Sequence, residues 1–181
     1  INNHVPVLSA REAMDLIPDG AIVYLDGSGN GNKEPALCYQ ALANRHLETG
    51  KPVDLTLIHP NGVGDRVADS DKGFSMLAHP TMIKRIVAGH LGQSPKLAAL
   101  VDENLVEGYN FSMGTLSQMM RAAAAKQPGV ITKVGMGTFM DPRQTGGKLN
   151  ERTTEDLVRT IDIDGEEYLF YKTVSPNVCI M

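Results

Sequence analysis

A chain of 181 residues is long enough for one domain with a proper core and short for two. With 42% apolar and 21% charged residues, its composition is that of an ordinary soluble globular protein. A formal net charge of −4 argues against nucleic acid or an anionic membrane as partner, since both select a basic face, and still leaves room for a local basic pocket.

No apolar run reaches the roughly 20 residues that span a bilayer. The opening Ile1-Asn2-Asn3-His4 has neither the charged nor the apolar region of a signal peptide, and no initiator methionine. Cys38 and Cys179 have no metal-ligand spacing around them, which suits a reducing cytoplasm better than a disulfide framework.

Short strands alternate with amphipathic helices, the pattern of an α/β layer fold. Ser9 with Glu12 reads as a capping box opening the first helix. Pro18-Asp19-Gly20 turns the chain into a strand at Ala21–Leu25. A glycine-rich loop, Gly27-Ser28-Gly29-Asn30-Gly31-Asn32, leads to a helix from about Glu34 to Leu47, with Pro35 in its first turn. Asp54–His59 reads as the second strand, followed by the loop Pro60-Asn61-Gly62-Val63-Gly64-Asp65. A short helix around Phe74–His79 precedes a third strand at Lys84–Ala88. Ser94 is expected to cap a helix reaching about Asn104, and Gly114–Lys126 is another helix. Val130–Val134 is a strand, with the loop Gly135-Met136-Gly137-Thr138 after it. Thr160–Ile163 and Tyr168–Thr173 form a hairpin around Asp164-Gly165. The apolar segment Asn177–Met181 starts like a strand and stops without a turn, so its unpaired backbone groups call for cover. The expectation is a chain truncated at both ends.

The loop Gly27–Asn32 is the best local signal. It follows a strand and opens a helix, where free N–H groups and the helix dipole favour an anion. Its spacing is G-x-G-x-G rather than the dinucleotide fingerprint, and the second strand ends in His59 instead of an acid, so NAD binding is poorly supported. A tight structural turn is the competing reading. No nucleophile elbow, Walker loop or zinc-protease motif occurs. His4, His46, His59, His79 and His90 are scattered and read as structural or surface residues, so no metal site is expected. Met113, Met119 and Met120 read as packing around a helix. Glu151, Glu155 and Asp156 beside Arg152 read as a solvated helix start.

Several stretches together resemble family I coenzyme A transferases. They are Ser9-Ala10-Arg11-Glu12-Ala13, Ile17-Pro18-Asp19-Gly20-Ala21, Asp54-Leu55-Thr56-Leu57, Leu77-Ala78-His79-Pro80 and Gly89-His90-Leu91-Gly92-Gln93-Ser94-Pro95. Pro128-Gly129-Val130-Ile131-Thr132 and Gly137-Thr138-Phe139-Met140-Asp141-Pro142-Arg143 continue the series. The run from Gly146 to Asp156 resembles most specifically the single-chain branch that includes acetate and propionate CoA-transferases.

The resemblance implies an open, mostly parallel sheet with flanking helices, on a scaffold related to sugar-phosphate isomerases. It implies exchange of CoA between an acyl-CoA and a free carboxylate, by a ping-pong route through a glutamyl-CoA thioester. The nucleophilic glutamate would lie in a carboxy-terminal half outside this chain, so no catalytic residue is expected here. Coenzyme A and acyl-CoA are then substrates rather than resident cofactors. The carboxy-terminal half and a carboxylic acid are the expected partners, and a homo-oligomer the expected assembly. By position, Gly27, Gly29, Gly31, Asn32, Asn61, Gly62, Met113, Gly114, Gly135, Gly137 and Thr138 should face the substrate cleft. The family usually carries a second glycine at Asp26, an aromatic residue at Ser28 and glutamine at Met113. Methionine donates no hydrogen bond, which points to a more apolar acyl group or to altered activity. An acyl-CoA hydrolase and a non-catalytic assembly subunit are the alternatives on the same scaffold.

Overall fold

A computed structural model describes residues 5–27 and 33–181. In chain order the elements are α1 (Ala10–Asp15), β1 (Ile22–Leu25), α2 (Ala36–Thr49), β2 (Leu55–His59), a 3₁₀ turn (Gly73–Leu77), β3 (Ile83–Ala88), α3 (Pro95–Asp102), β4 (Glu107–Asn110), α4 (Met113–Ala124), β5 (Gly129–Thr132), β6 (Val158–Ile163), β7 (Glu166–Lys172) and β8 (Val178–Ile180). Five strands form one parallel sheet in the order β4-β3-β2-β1-β8. The other three make an antiparallel sheet, β5-β7-β6. Thus the larger layer is an α/β sheet, as the alternating pattern requires.

Side chains in the parallel strands alternate between two separate cores. Val23 and Leu25, Leu55 and Leu57, and Ile86 and Ala88 point to one face, where Met14, Tyr39, Leu42, Phe74, Leu97 and Leu100 cover them. Their neighbours Ile22, Tyr24, Ile58 and Val87 point to the other face, against Leu116 and Met119 of α4 and Leu169 and Tyr171 of β7. A strand buried on both faces reads as a continuous apolar run, which is why Leu55–Ile58 is interrupted only by Thr56.

Local signals are realised with some changes. The Ser9 box forms in both directions, Ser9 N–H to Glu12 at 2.8 Å and Glu12 N–H to Ser9 at 3.3 Å. Gly50 ends α2 in the left-handed conformation, φ +71. Pro35 sits at the N-cap of α2, one position outside the helix. Ser94 occupies the N-cap of α3 without capping it, because its hydroxyl is drawn away to donate to Val63 O at 2.6 Å. Strand β4 was not expected: Glu-Gly-Tyr-Asn carries no alternation, and its pairing with β3 decides its conformation. The acidic stretch around Glu151–Asp156 is not a helix start. It passes through a turn at Glu151 and Arg152 and a bend at Glu155 before β6, with Glu155 held by Arg85 at 2.8 Å and by Lys172 at 2.7 Å.

Arg85 joins the two layers. From β3 it pairs with Glu107 on β4 at 2.5 Å and with Glu155, while its guanidinium lies 5.4 Å from the centre of the Tyr109 ring. Tyr109 in turn donates to Glu155 O at 2.8 Å. Both Arg85 and Glu107 are mostly buried, so removing one leaves the other poorly solvated. Arg85→Met is expected to destabilise the fold by on the order of 2 kcal/mol in urea unfolding, and a double variant with Glu107→Gln should cost less than the sum of the single changes.

Candidate active site

Parallel strands release their loops at one common edge. Here β2 ends in His59, β3 in Ala88 and β4 in Asn110, and three cross-links fasten the loops that follow. Gly89 N–H donates to His59 O at 3.0 Å, Phe111 N–H to Ala88 O at 3.0 Å, and the Asn110 side-chain amide to the same Ala88 O at 3.0 Å. Ser112 then caps α4 by accepting from Thr115 N–H at 3.1 Å. Between these loops lies a cavity of about 450 Å³ lined by Asn61, Gly62, Arg66, Gly89, His90, Gln93 and Met113. It lies beyond the carboxyl ends of the strands, where α/β sheets place ligands.

The glycines are demanded by close packing. A Cβ on Gly62 would stand 3.0 Å from the His90 ring and 3.2 Å from Gln93 Cβ. On Gly89 it would stand 2.1 Å from Pro60 O and 2.9 Å from Met113 Cγ, so Met113 rests directly over Gly89. Met113 is half exposed at the first position of α4, and its thioether gives the cavity an apolar wall.

His59 supports the floor. It is fully buried, its ring 4.6 Å from that of Phe74, and its Nδ1 lies 2.9 Å from Asn61 O. A carbonyl only accepts, so the proton resides on Nδ1, and Nε2 is a bare acceptor, buried with no partner among the described residues. Burial lowers the His59 pKa to about 4, with a minor opposing contribution from the Asn61 bond and a further lowering from His90. The imidazole is therefore neutral at physiological pH and fixes the turn that presents Asn61 and Gly62.

Of the residues expected at the cleft, Asn61, Gly62 and Met113 meet in this cavity. Gly27 is not in the lining and packs instead on Val63. Its φ is +154, and a Cβ there would come 2.5 Å from Val63 Cγ2. Gly29, Gly31 and Asn32 lie outside the described residues. Gly114 is the second residue of α4 and faces open space, away from the lining. Gly135, Gly137 and Thr138 form a separate turn tied by Asp141. The Gly137 N–H donates to Asp141 at 2.8 Å, and Thr138 donates to Gly135 O at 2.7 Å. Hydrogen bonds from Arg143, first, and from Gly137 hold the Asp141 carboxyl well below the usual range. This turn abuts the end of β4 through Gly147, whose N–H donates to Phe139 O and whose carbonyl accepts from Asn110 N–H.

Arg66, Gly89, His90 and Gln93 were not singled out as cleft residues from the sequence. Gly89-His90 and Gln93 lay within a stretch that signalled the family, whereas nothing around Arg66 marked it. No carboxylate or thiol among the described residues lines the cavity. It offers amides, an imidazole, a guanidinium and close backbone, equipment for binding and polarising a substrate rather than attacking it. Among the described residues no cluster of three potential metal ligands occurs, and no helix is long and apolar enough to cross a membrane.

The sequence profile described as Coenzyme A transferase matches residues 7–181. The chain belongs to the coenzyme A transferase family. Over all 181 residues it is 46% identical to the acetate CoA-transferase YdiF of Escherichia coli, covering 34% of that protein. It is 39% identical over 174 residues to the caffeate CoA-transferase of Acetobacterium woodii, covering 96% of this chain and 32% of the relative. The crystal structure of the Escherichia coli acyl-CoA transferase YdiF in a thioester complex with CoA matches with a TM-score of 0.94 and 46% identity, over 98% of this chain and 34% of the other. The chain thus spans about a third of the length of the curated CoA-transferases it matches.

The buried neutral histidine makes stability depend on pH. Its folded pKa, about 4, lies below the ordinary value of 6.5, so the unfolded chain takes up the proton first. Stability is fully present above pH 6.5 and declines as pH falls towards 4, by on the order of 3 kcal/mol at most. Melting followed by circular dichroism should show Tm falling between pH 7 and pH 5, and His59→Gln should flatten that slope.

Proposed function

We propose that this chain is the amino-terminal, substrate-facing domain of an acyl-CoA:carboxylate CoA-transferase whose nucleophilic glutamate lies outside it. The observation that carries this reading is a binding cavity without a nucleophile, in a chain that matches the family from end to end. In the proposed reaction, a glutamate carboxylate attacks the acyl-CoA carbonyl and CoA leaves as thiolate, giving an acyl-glutamyl anhydride. The thiolate then attacks the glutamyl carbonyl, forming the glutamyl-CoA thioester and releasing the first acid as its carboxylate. A second acid then takes the CoA by the reverse steps. This domain contributes one wall of the acyl pocket, where Asn61, Gln93 and His90 supply polar contacts and Met113 an apolar one.

The test uses the full-length protein that contains this chain, incubated with acetyl-CoA and analysed by intact mass and peptide mapping. One CoA is expected on a glutamate outside residues 1–181, and acetate should discharge it. Release of free CoA at the same rate with no acceptor acid would make the protein a hydrolase. No adduct and no turnover would make it a binding or assembly subunit.

Met113 over Gly89 favours an acid with an apolar chain. Met113→Gln is expected to shift the kcat/KM preference from butyrate towards acetate by about tenfold, read by competition between the two acids in the full-length protein.

A further inference from the structure

The cavity contains one charged residue to which the binding role above gives no task. Arg66 is, among the described residues, the sole lysine, arginine, aspartate or glutamate in its lining. Among the described residues Arg66 forms no ion pair, as is also true of Arg121 and Arg152, whereas Arg11, Arg45, Arg85 and Arg143 each hold a carboxylate and Arg159 lies over the Phe170 ring. Its neighbour Asp65 is occupied elsewhere. The Asp65 carboxylate accepts from Ser70 at 2.8 Å and from Val67 N–H at 3.1 Å, and Lys72 stands 3.6 Å away. The hydrogen bond from Ser70, first, and that from Val67 keep this carboxyl below its usual range. The loop therefore neutralises its own acid and leaves the arginine uncompensated at the cavity.

The backbone holds Arg66 there against its preference. Its φ is +64, a left-handed conformation that disfavours side chains. Two residues earlier the loop is packed tightly: a Cβ on Gly64 would come 2.1 Å from Gln93 O, and Arg66 N–H donates to that same carbonyl at 3.4 Å. Arg66 is an exposed residue of this lining, so its guanidinium is accessible to a ligand. In the same lining Met113 supplies an apolar wall above Gly89.

We propose that Arg66 is the counter-charge for the carboxylate of the acceptor acid, with the acid's carbon chain lying against Met113. This assignment rests on the transferase reading above and names the substrate class of the same cavity: a monocarboxylic acid with a short apolar chain. A guanidinium also fits phosphate. The phosphates of CoA, however, carry several charges, and one unaccompanied arginine in a lining with no lysine matches a single carboxylate better. In the transfer step an oxygen of the acid attacks the carbonyl carbon of the enzyme thioester, the C–S bond breaks and CoA departs as thiolate, leaving a mixed anhydride. The thiolate then adds to the acid's own carbonyl and expels the enzyme carboxylate. The acid is anionic before this sequence and uncharged within the anhydride. Arg66 therefore strengthens binding of the free acid and should act on KM more than on kcat.

The experiment measures acetyl-CoA:butyrate transfer by the full-length protein and its Arg66→Gly and Arg66→Lys variants, varying each substrate in turn. Glycine adopts φ +64 without strain, so Arg66→Gly should keep or raise Tm, which separates loss of binding from loss of fold. KM for butyrate is expected to rise by about tenfold or more in Arg66→Gly, with Arg66→Lys intermediate, while KM for acetyl-CoA moves by less than about twofold. A larger rise in KM for acetyl-CoA than for butyrate would assign Arg66 to the CoA phosphates and overturn the proposal. Unchanged values for both substrates would overturn it as well, with the transferase reading intact. If the unaltered protein forms no butyryl-CoA, the transferase reading fails and takes this assignment with it.

Discussion

Parallel pairing of β1 to β4 is the constraint from which the rest of the structure follows. Strands that run in one direction must send each crossover over a face of the sheet, so both faces are buried and every strand ends at the same edge. Register makes this concrete. Leu57 stands beside Ile86 and Val23, and Ile58 beside Val87 and Tyr24, so successive residues of β2 belong to different cores. The same pairing brings His59, Ala88 and Asn110 level, and the three loops behind them enclose one cavity.

That edge is built by packing around Val63. Its carbonyl accepts from the Ser94 hydroxyl and from Phe74 N–H, and its side chain fills the space that a Cβ on Gly27 would need. A Cβ on Gly73 would reach to 2.2 Å of Val63 O, so the loop after β2, the 3₁₀ turn and the start of α3 meet with no room for adjustment. His59 lies beneath, neutral because it is buried, with its Nδ1 proton committed to Asn61 O. Rigid surroundings of this kind keep the amides and the guanidinium in place, as preorganised binding requires.

Much of this was legible in the residues. The apolar runs at Ala21–Leu25, Asp54–His59 and Lys84–Ala88 gave the three central strands within one residue at each end, because a doubly buried strand has no choice of composition. The Asp164-Gly165 hairpin was legible for a different reason: two successive positive φ angles, +54 and +82, suit few residue pairs. Strand β4 was illegible because its conformation comes from pairing with β3 and not from its own side chains. Ser94 was misread because a hydroxyl at an N-cap has two possible acceptors or donors in reach, and sequence does not reveal that Val63 O lies near. The acidic stretch at Glu151–Asp156 looked like a helix start for want of its partners, Arg85 and Lys172.

The sequence by itself determined the layer class, the central strands and the family, since all three depend on local periodicity and on collinear motifs that survive without coordinates. It also marked Asn61, Gly62 and Met113 as cleft residues, through resemblance and their positions after strands or before a helix. Only the tertiary structure joined them to Gly89, His90 and Gln93, separated Gly135, Gly137 and Thr138 into a turn of their own, and left Arg66 without a carboxylate. The physical reason is that which charges are paired, and which polar atoms are buried, depends on neighbours far apart in the chain. Arg66 and Met113 line one cavity only because parallel strands end together.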